Sequence, residues 1–349
     1  MPLMNREQWA ASDPGLRMHS WIEDLPGQMR RAVAFWPGEA AGPMPDRGVV
    51  AAAMGGSAMA AKVALYSVRA RLPAMVVHGD TLPEWVGPGW LCVACSYSGN
   101  TRETLACFEQ ACRRGCSVAS VSAGGVLQDL AASQGFVHRA MAAGQPPRTA
   151  VGQAVVGLLW TLWTHGLVAD PRPEIEATAA ALGTQWARGI GSSTPWETEP
   201  GLIARAVPST CVIVAGAGLS LAPALRWSQQ LNENAKLPCF ALEVPEMLHN
   251  QVEGLEAAAR AGTVLVLLTD HGQSYSEGAA MDYLGSVYEG FGGTAFAVAS
   301  RGTHELERIF SLMYIGDQVS YLASLLRGMD PTPVERIGHL KKVLAPGSS

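Results

Sequence analysis

The stretch from Ser96 to Thr104 reads Ser-Tyr-Ser-Gly-Asn-Thr-Arg-Glu-Thr and gathers three hydroxyls, Ser96, Ser98 and Thr101, around Gly99. Such a cluster suits an anion, because glycine lets the backbone approach while hydroxyls and nearby N–H groups point at the negative oxygens. Gly55-Gly56-Ser57 is a smaller set of the same kind, weak alone but able to form a second wall. Glu233, within Leu-Asn-Glu-Asn-Ala-Lys, and His249, within Pro-Glu-Met-Leu-His-Asn, suggest a different chemistry. A carboxylate and an imidazole from separate segments suit an enzyme that moves protons, one abstracting while the other transfers a second proton. Both have plainer readings: a glutamate near a helix end is commonly solvated, an asparagine there commonly caps, and a lone histidine is often only hydrogen bonded.

The elements that must hold these residues alternate. Apolar runs predict strands over 48–54, 74–77, 90–95 and 117–122, with helices from 55 to about 71 and over about 101–115. The second half predicts strands over 211–215, 239–242 and 263–268, with a helix from Gly218 to about Ala235. Pro83-Glu84 and Pro245-Glu246 are as far apart as Gly56 and Gly218, the mark of a duplicated unit. Two α/β halves of related topology follow, each a mostly parallel sheet with helices on both faces. The boundaries expected are 1–170 for the first half with an N-terminal helical segment, 171–204 for a Pro-, Gly- and Ser-rich joint around one short helix, and 205–349 for the second. The apolar helix 151–168 is expected between the halves.

In open α/β sheets ligands collect beyond the carboxyl ends of the strands, where helices begin with a partial positive charge of roughly half a unit. The serine turn lies there. Helix capping is the competing explanation, with Thr101 and Thr104 resembling a capping box, but a cap needs one hydroxyl and this turn has three. The matching turn of the second half ends in Thr269-Asp270-His271-Gly272, and an aspartate repels phosphate. One half therefore binds a phosphate and the other contributes chemistry.

Composition narrows the classes. With 25 basic and 30 acidic residues among 349 the net charge is −5, and no Lys/Arg cluster is present to neutralise a run of phosphates, so nucleic acid is not an expected partner. The segment Met1 to Arg30 lacks a signal peptide's apolar core, and Ala154 to Ala169 falls short of the ~20 apolar residues a bilayer requires. A cytoplasmic protein with no membrane partner is expected. The seven cysteines are expected as buried free thiols, since Cys92 and Cys95 point to opposite faces of a strand and cannot share a metal.

Together the strand-GGS-helix, the SYSGNT-ET turn, the NENAK and VPE-x-x-HN segments and the closing RGMDPTPVERIGHLKK (327–342) resemble the bifunctional phosphoglucose/phosphomannose isomerases of the sugar isomerase (SIS) domain superfamily, from about Asp13 to Lys342. The resemblance implies two SIS-type doubly wound domains related by internal duplication. It implies an isomerase acting on glucose 6-phosphate or mannose 6-phosphate without cofactor or metal, in a homodimer. Gly55, Gly56, Ser57, Ser96, Ser98 and Thr101 then hold the phosphate, and Glu233 shuttles the proton between C1 and C2. Arg148 stabilises the enediolate, while His249 from the partner subunit and Lys341 assist ring opening. The family commonly has glycine where this chain has Ala58, and a small hydroxyl residue near the C-terminus is associated with accepting mannose; here that segment offers Thr332 and Val334. A sensor that binds sugar phosphate without turning it over, or an isomerase of another aldose phosphate, uses the same pocket.

Overall fold

The computed structural model describes residues 13–36, 42–68, 71–207 and 211–343, and the apolar runs become two parallel sheets. The first contains β1 (Gly48–Ala53), β2 (Ala74–Val77), β3 (Trp90–Ser96), β4 (Ser117–Ser122) and β5 (Val137–Ala140) in the order β2-β1-β3-β4-β5. Every residue of β1 and β3 is buried, which is why both read as continuous apolar runs; helices cover the two faces of a parallel sheet. The chain leaves β1 toward β2 on one side and later enters β3 on the other. Ala53 pairs with Cys95, so β1 and β3 end side by side at the point where the strand order reverses. Ligands of doubly wound sheets bind at such a reversal.

The second sheet repeats the plan with β6 (Val212–Gly216), β7 (Cys239–Glu243), β8 (Val264–Thr269) and β9 (Thr294–Ala299) in the order β7-β6-β8-β9, all parallel. Its reversal lies between β6 and β8. Gly55 and Gly218, which follow β1 and β6, share a left-handed φ of +52° and +51°. The counterpart of Gly218 is therefore Gly55, one residue from the Gly56 that the spacing suggested.

The first unit comprises Glu23–Ala187 with Ser300–Leu312, and the second is built on Arg188–Ala299 and on the chain from Met313. The helix Val151–Thr164, expected between the halves, instead packs within the first unit against the helices Leu25–Phe35 and Gly55–Tyr66. The expected joint holds more helix than its composition suggested: Arg172–Arg188 runs for 17 residues and Glu199–Ala206 follows. Pro173 and Pro200 sit in first turns, where the missing N–H has no helical partner to lose, so these prolines start helices.

Each unit has its own core. In the first, Phe108, Leu82, Cys92 and Leu127 are fully buried between helices and sheet; in the second, Leu265, Leu284, Met247 and Tyr288 are. One helix among the described residues, Glu305–Leu326, is long and apolar enough to cross a membrane, but 89% of its most apolar window is buried. It also carries Asp317, whose carboxylate accepts from Arg226 Nε and Nη2 at 2.9 and 2.7 Å in the core of the second unit. Burial pushes the Asp317 carboxyl up against the pull of Arg226.

Candidate active site

The serine turn leaves the carboxyl end of β3 and enters the helix Arg102–Arg113. Gly99 adopts φ +66°, and a Cβ there would stand 1.7 Å from the Gly124 carbonyl oxygen, so only glycine fits. The turn is locked onto the one after β4: Tyr97 O accepts from Ala123 N–H at 2.9 Å, Gly99 O from Leu127 N–H at 2.9 Å, and Asn100 Oδ1 from Val126 N–H at 3.0 Å. Rigid backbone leaves the hydroxyls as the adjustable groups. Those of Ser96 and Thr101 lie 2.8 Å apart, and Ser98 Oγ accepts from Asn100 N–H at 3.2 Å.

Thr101 occupies the N-cap position with extended backbone, yet its hydroxyl makes no capping bond and turns to Ser96 instead. The first N–H groups of the helix thus keep their affinity for an external anion. Capping does not account for this turn.

Three further segments meet there. Ser57 Oγ, on the opening turn of the helix Gly55–Tyr66, accepts from Tyr97 N–H at 3.1 Å. Tyr97 Oη donates to Ala142 O at 3.3 Å and accepts from Gln145 N–H at 3.1 Å, tying the turn to the loop that leads to Arg148. A Cβ on Gly56 would come within 3.3 Å of Arg148 Cα and Pro147 O, so this glycine lets the Arg148 turn close against the helix start. Gly55, Gly56, Ser57, Ser96, Ser98, Thr101 and Arg148 therefore belong to one unit and one neighbourhood, with Arg148 5% exposed. Tyr97 and Asn100 were missed as anchors, although both stand inside the motif.

At the second reversal the same places are filled. Asp270 is buried, its Oδ2 accepting from Gly272 N–H at 2.9 Å, while Asp270 N–H donates to Gln273 Oε1 at 3.1 Å. Ser274 and Glu277 form a reciprocal capping box, and a Cβ on Gly218 would lie 3.2 Å from Glu277 Oε1. Ser220 is wholly buried and bonds only within its own turn as far as its hydroxyl is concerned, accepting from Ala217 N–H at 2.9 Å and donating to Ala217 O at 3.0 Å.

Glu233 and His249 both lie in the second unit. Glu233 is half-buried in the last turn of the helix Leu221–Asn234. Its flanking asparagines hold the backbone: Asn232 Nδ2 donates to Ser228 O and Cys239 O, both at 2.8 Å, and Asn234 Nδ2 to Ser320 Oγ at 2.9 Å. His249 ends a short 3₁₀ turn, Glu246–His249, with an exposed side chain. Thr332 is half-buried, its N–H donating to Asp330 Oδ1 at 2.8 Å. Lys341 falls on the backbone of the closing helix Glu335–Val343; its side chain, like that of Lys342, lies outside the described residues.

The cysteines are unpaired thiols, five of them buried. Burial pushes Cys95 and Cys239 up to about 12 and Cys107 to about 11, which holds them as neutral thiols and removes them as nucleophiles at neutral pH. Among the described residues no group of three or more His, Cys, Asp and Glu side chains is arranged to hold a metal ion.

The family model "Bacterial phospho-glucose isomerase C-terminal SIS domain" matches residues 197–344. The chain is 31% identical to the bifunctional phosphoglucose/phosphomannose isomerase of Caldicellulosiruptor bescii, with 85% of this chain and 89% of that protein covered. To the protein of the same description from Aquifex aeolicus it is 30% identical, covering 86% and 91%. Its fold is similar to that of the C-terminal domain of glucosamine-fructose-6-phosphate aminotransferase from Francisella tularensis, with a TM-score of 0.68 at 16% identity over 90% of this chain and 97% of that one.

Proposed function

The chain belongs to the bifunctional phosphoglucose/phosphomannose isomerase family, and from that premise we propose that the Ser96–Thr101 turn is its phosphate site and Glu233 its proton carrier. It is an aldose–ketose isomerase that interconverts glucose 6-phosphate and mannose 6-phosphate with fructose 6-phosphate. The single observation that carries the phosphate assignment is the helix start at Arg102, which its own N-cap hydroxyl leaves uncapped beside Ser96.

In the open-chain aldose, the Glu233 carboxylate takes the proton from C2 as the C1 carbonyl accepts the electron pair. The cis-enediolate carries negative charge on oxygen, and the Arg148 guanidinium, charged at any working pH, stabilises it. Glu233 then returns the proton to C1, the O2 proton passes to O1, and the carbonyl re-forms at C2. His249, contributed by the partner subunit of a homodimer, moves a proton at the ring oxygen, and Lys341 assists; the exposure of His249 supports a role outside its own subunit. Holding the phosphate away from the reacting carbons supplies orientation. The route requires no redox cofactor and no metal.

Substituting Glu233→Gln is expected to lower kcat by ~10²–10⁴-fold while leaving KM within a few-fold, the range for loss of one general acid–base group. Fructose 6-phosphate formation, followed separately from glucose 6-phosphate and mannose 6-phosphate, measures this. Near-normal turnover by the variant overturns the base assignment, and loss of wild-type activity on adding a chelator overturns the metal-free route.

A further inference from the structure

Lys236 is the one non-glycine residue with a left-handed backbone among the described residues, at φ +54°. It follows Ala235 at the end of the helix that carries Glu233, a position where glycine is the unstrained choice. Strain retained at such a place points to a side chain that does something glycine cannot.

The side chain closes on the helix end. Lys236 Nζ donates to the backbone carbonyl of Glu233 itself and to Pro333 O at 2.6 Å. Arg327 Nε donates to Ala235 O at 2.9 Å. Two carbonyls of a helix C-terminus, which carry partial negative charge, are thus taken by cations. The ammonium also joins the Glu233 peptide to the segment around Pro333. With Asn232 tied to Cys239 and Asn234 to Ser320, the backbone at Glu233 is held from three directions.

We infer that Lys236 is a positioning residue for the isomerisation: its ammonium clamps the Glu233 peptide to the Pro333 segment and so fixes the aim of the Glu233 carboxylate, without touching substrate. This rests on the assignment of Glu233 as proton carrier. Proton transfer between carbon and a carboxylate depends steeply on alignment, and an ångström of misplacement can cost ~10²-fold in rate.

Lys236→Gly gives the test, because glycine accepts φ +54° without strain and removes the ammonium that makes the clamp. The expected result is a kcat lower by ~10–100-fold, with KM for glucose 6-phosphate within ~3-fold of wild type, and a melting temperature unchanged or raised. Lys236→Arg, which keeps a charged donor on a long stem, is expected to regain part of the lost kcat. The inference is overturned if Lys236→Gly retains kcat within ~2-fold, if its melting temperature falls along with kcat, or if KM rises in proportion. Glu233→Gln in the same assay separates the two levels. An inactive Glu233→Gln beside a fully active Lys236→Gly sinks the clamp alone, whereas an active Glu233→Gln sinks the base assignment beneath it.

Discussion

At the end of β3, Thr101 leaves the following helix uncapped and shares its hydroxyl with Ser96; at the end of β8, Ser274 and Glu277 cap their helix reciprocally and Asp270 folds back onto Gly272. The two places have the same strand order and the same left-handed glycine after the first strand. Ser57 and Ser220 make the contrast residue by residue. Ser57 reaches across to Tyr97 of the neighbouring turn, whereas the Ser220 hydroxyl bonds back to Ala217. A doubly wound sheet always provides a crevice at its reversal, but only side chains decide whether it stays open to a ligand. Here the hydroxyls of one reversal turn to each other and to the neighbouring turn, whereas the other bonds N–H groups to its own carboxylates.

The strongest way to break this contrast is Gly99→Ala. The methyl group meets backbone at 1.7 Å and the left-handed φ disfavours alanine, so the turn must move. A loss of at least ~3 kcal/mol in stability is expected, as for other substitutions that force backbone shifts, with a large rise in KM. Denaturant unfolding and steady-state kinetics measure both, and a variant of wild-type stability and KM disproves the locked turn.

A paired substitution sharpens it. Ser57→Ala removes a hydroxyl proposed to face phosphate, and hydrogen bonds to charged groups contribute ~1.5–3 kcal/mol, so KM is expected to rise by ~10–100-fold. Ser220→Ala removes a hydroxyl that closes its own turn, and is expected to leave KM unchanged while costing ~1 kcal/mol of stability. Equal effects on KM would mean that the two reversals are functionally alike.

Titration provides the smallest contrast. His138 and His165 lie in the first unit, and burial holds both imidazoles below the usual 6.5. Unfolded imidazoles take protons near that value while these two resist, so the unfolded chain binds more protons and stability rises with pH across the range. The contribution is complete above 6.5 and is lost as pH falls through the lowered values. Melting followed between pH 7 and 5 is expected to show the first unit weakening, and His165→Gln to flatten the slope; an unchanged slope contradicts it.

Much of the fold could be read from the chain. Strands β1, β3, β4, β6 and β8 are apolar runs bounded by glycine or hydroxyl residues, and their limits shifted by no more than a residue. Strand β5 escaped because Val137-His138-Arg139-Ala140 has no apolar pattern, yet it pairs with β4 at the sheet edge. The helix Arg172–Arg188 was expected only as a short one, because the prolines at its start read as loop. In the site, the hydroxyl turn was visible in residue types alone, and the aspartate at 270 marked the second turn as different. That Asp270 fills its own turn was not visible, since it depends on a local bond to Gly272. Lys236 was passed over for a similar reason: nothing in a lysine's type announces left-handed backbone, and only φ shows it.

The stoppered turn at Asp270 bears on stoichiometry. A chain with two near-repeats of one architecture invites the expectation of two berths, one per repeat. With a tethered carboxylate in its second bay, each polypeptide is expected to take up one hexose monophosphate and not two, so that a repeated scaffold carries an unrepeated load.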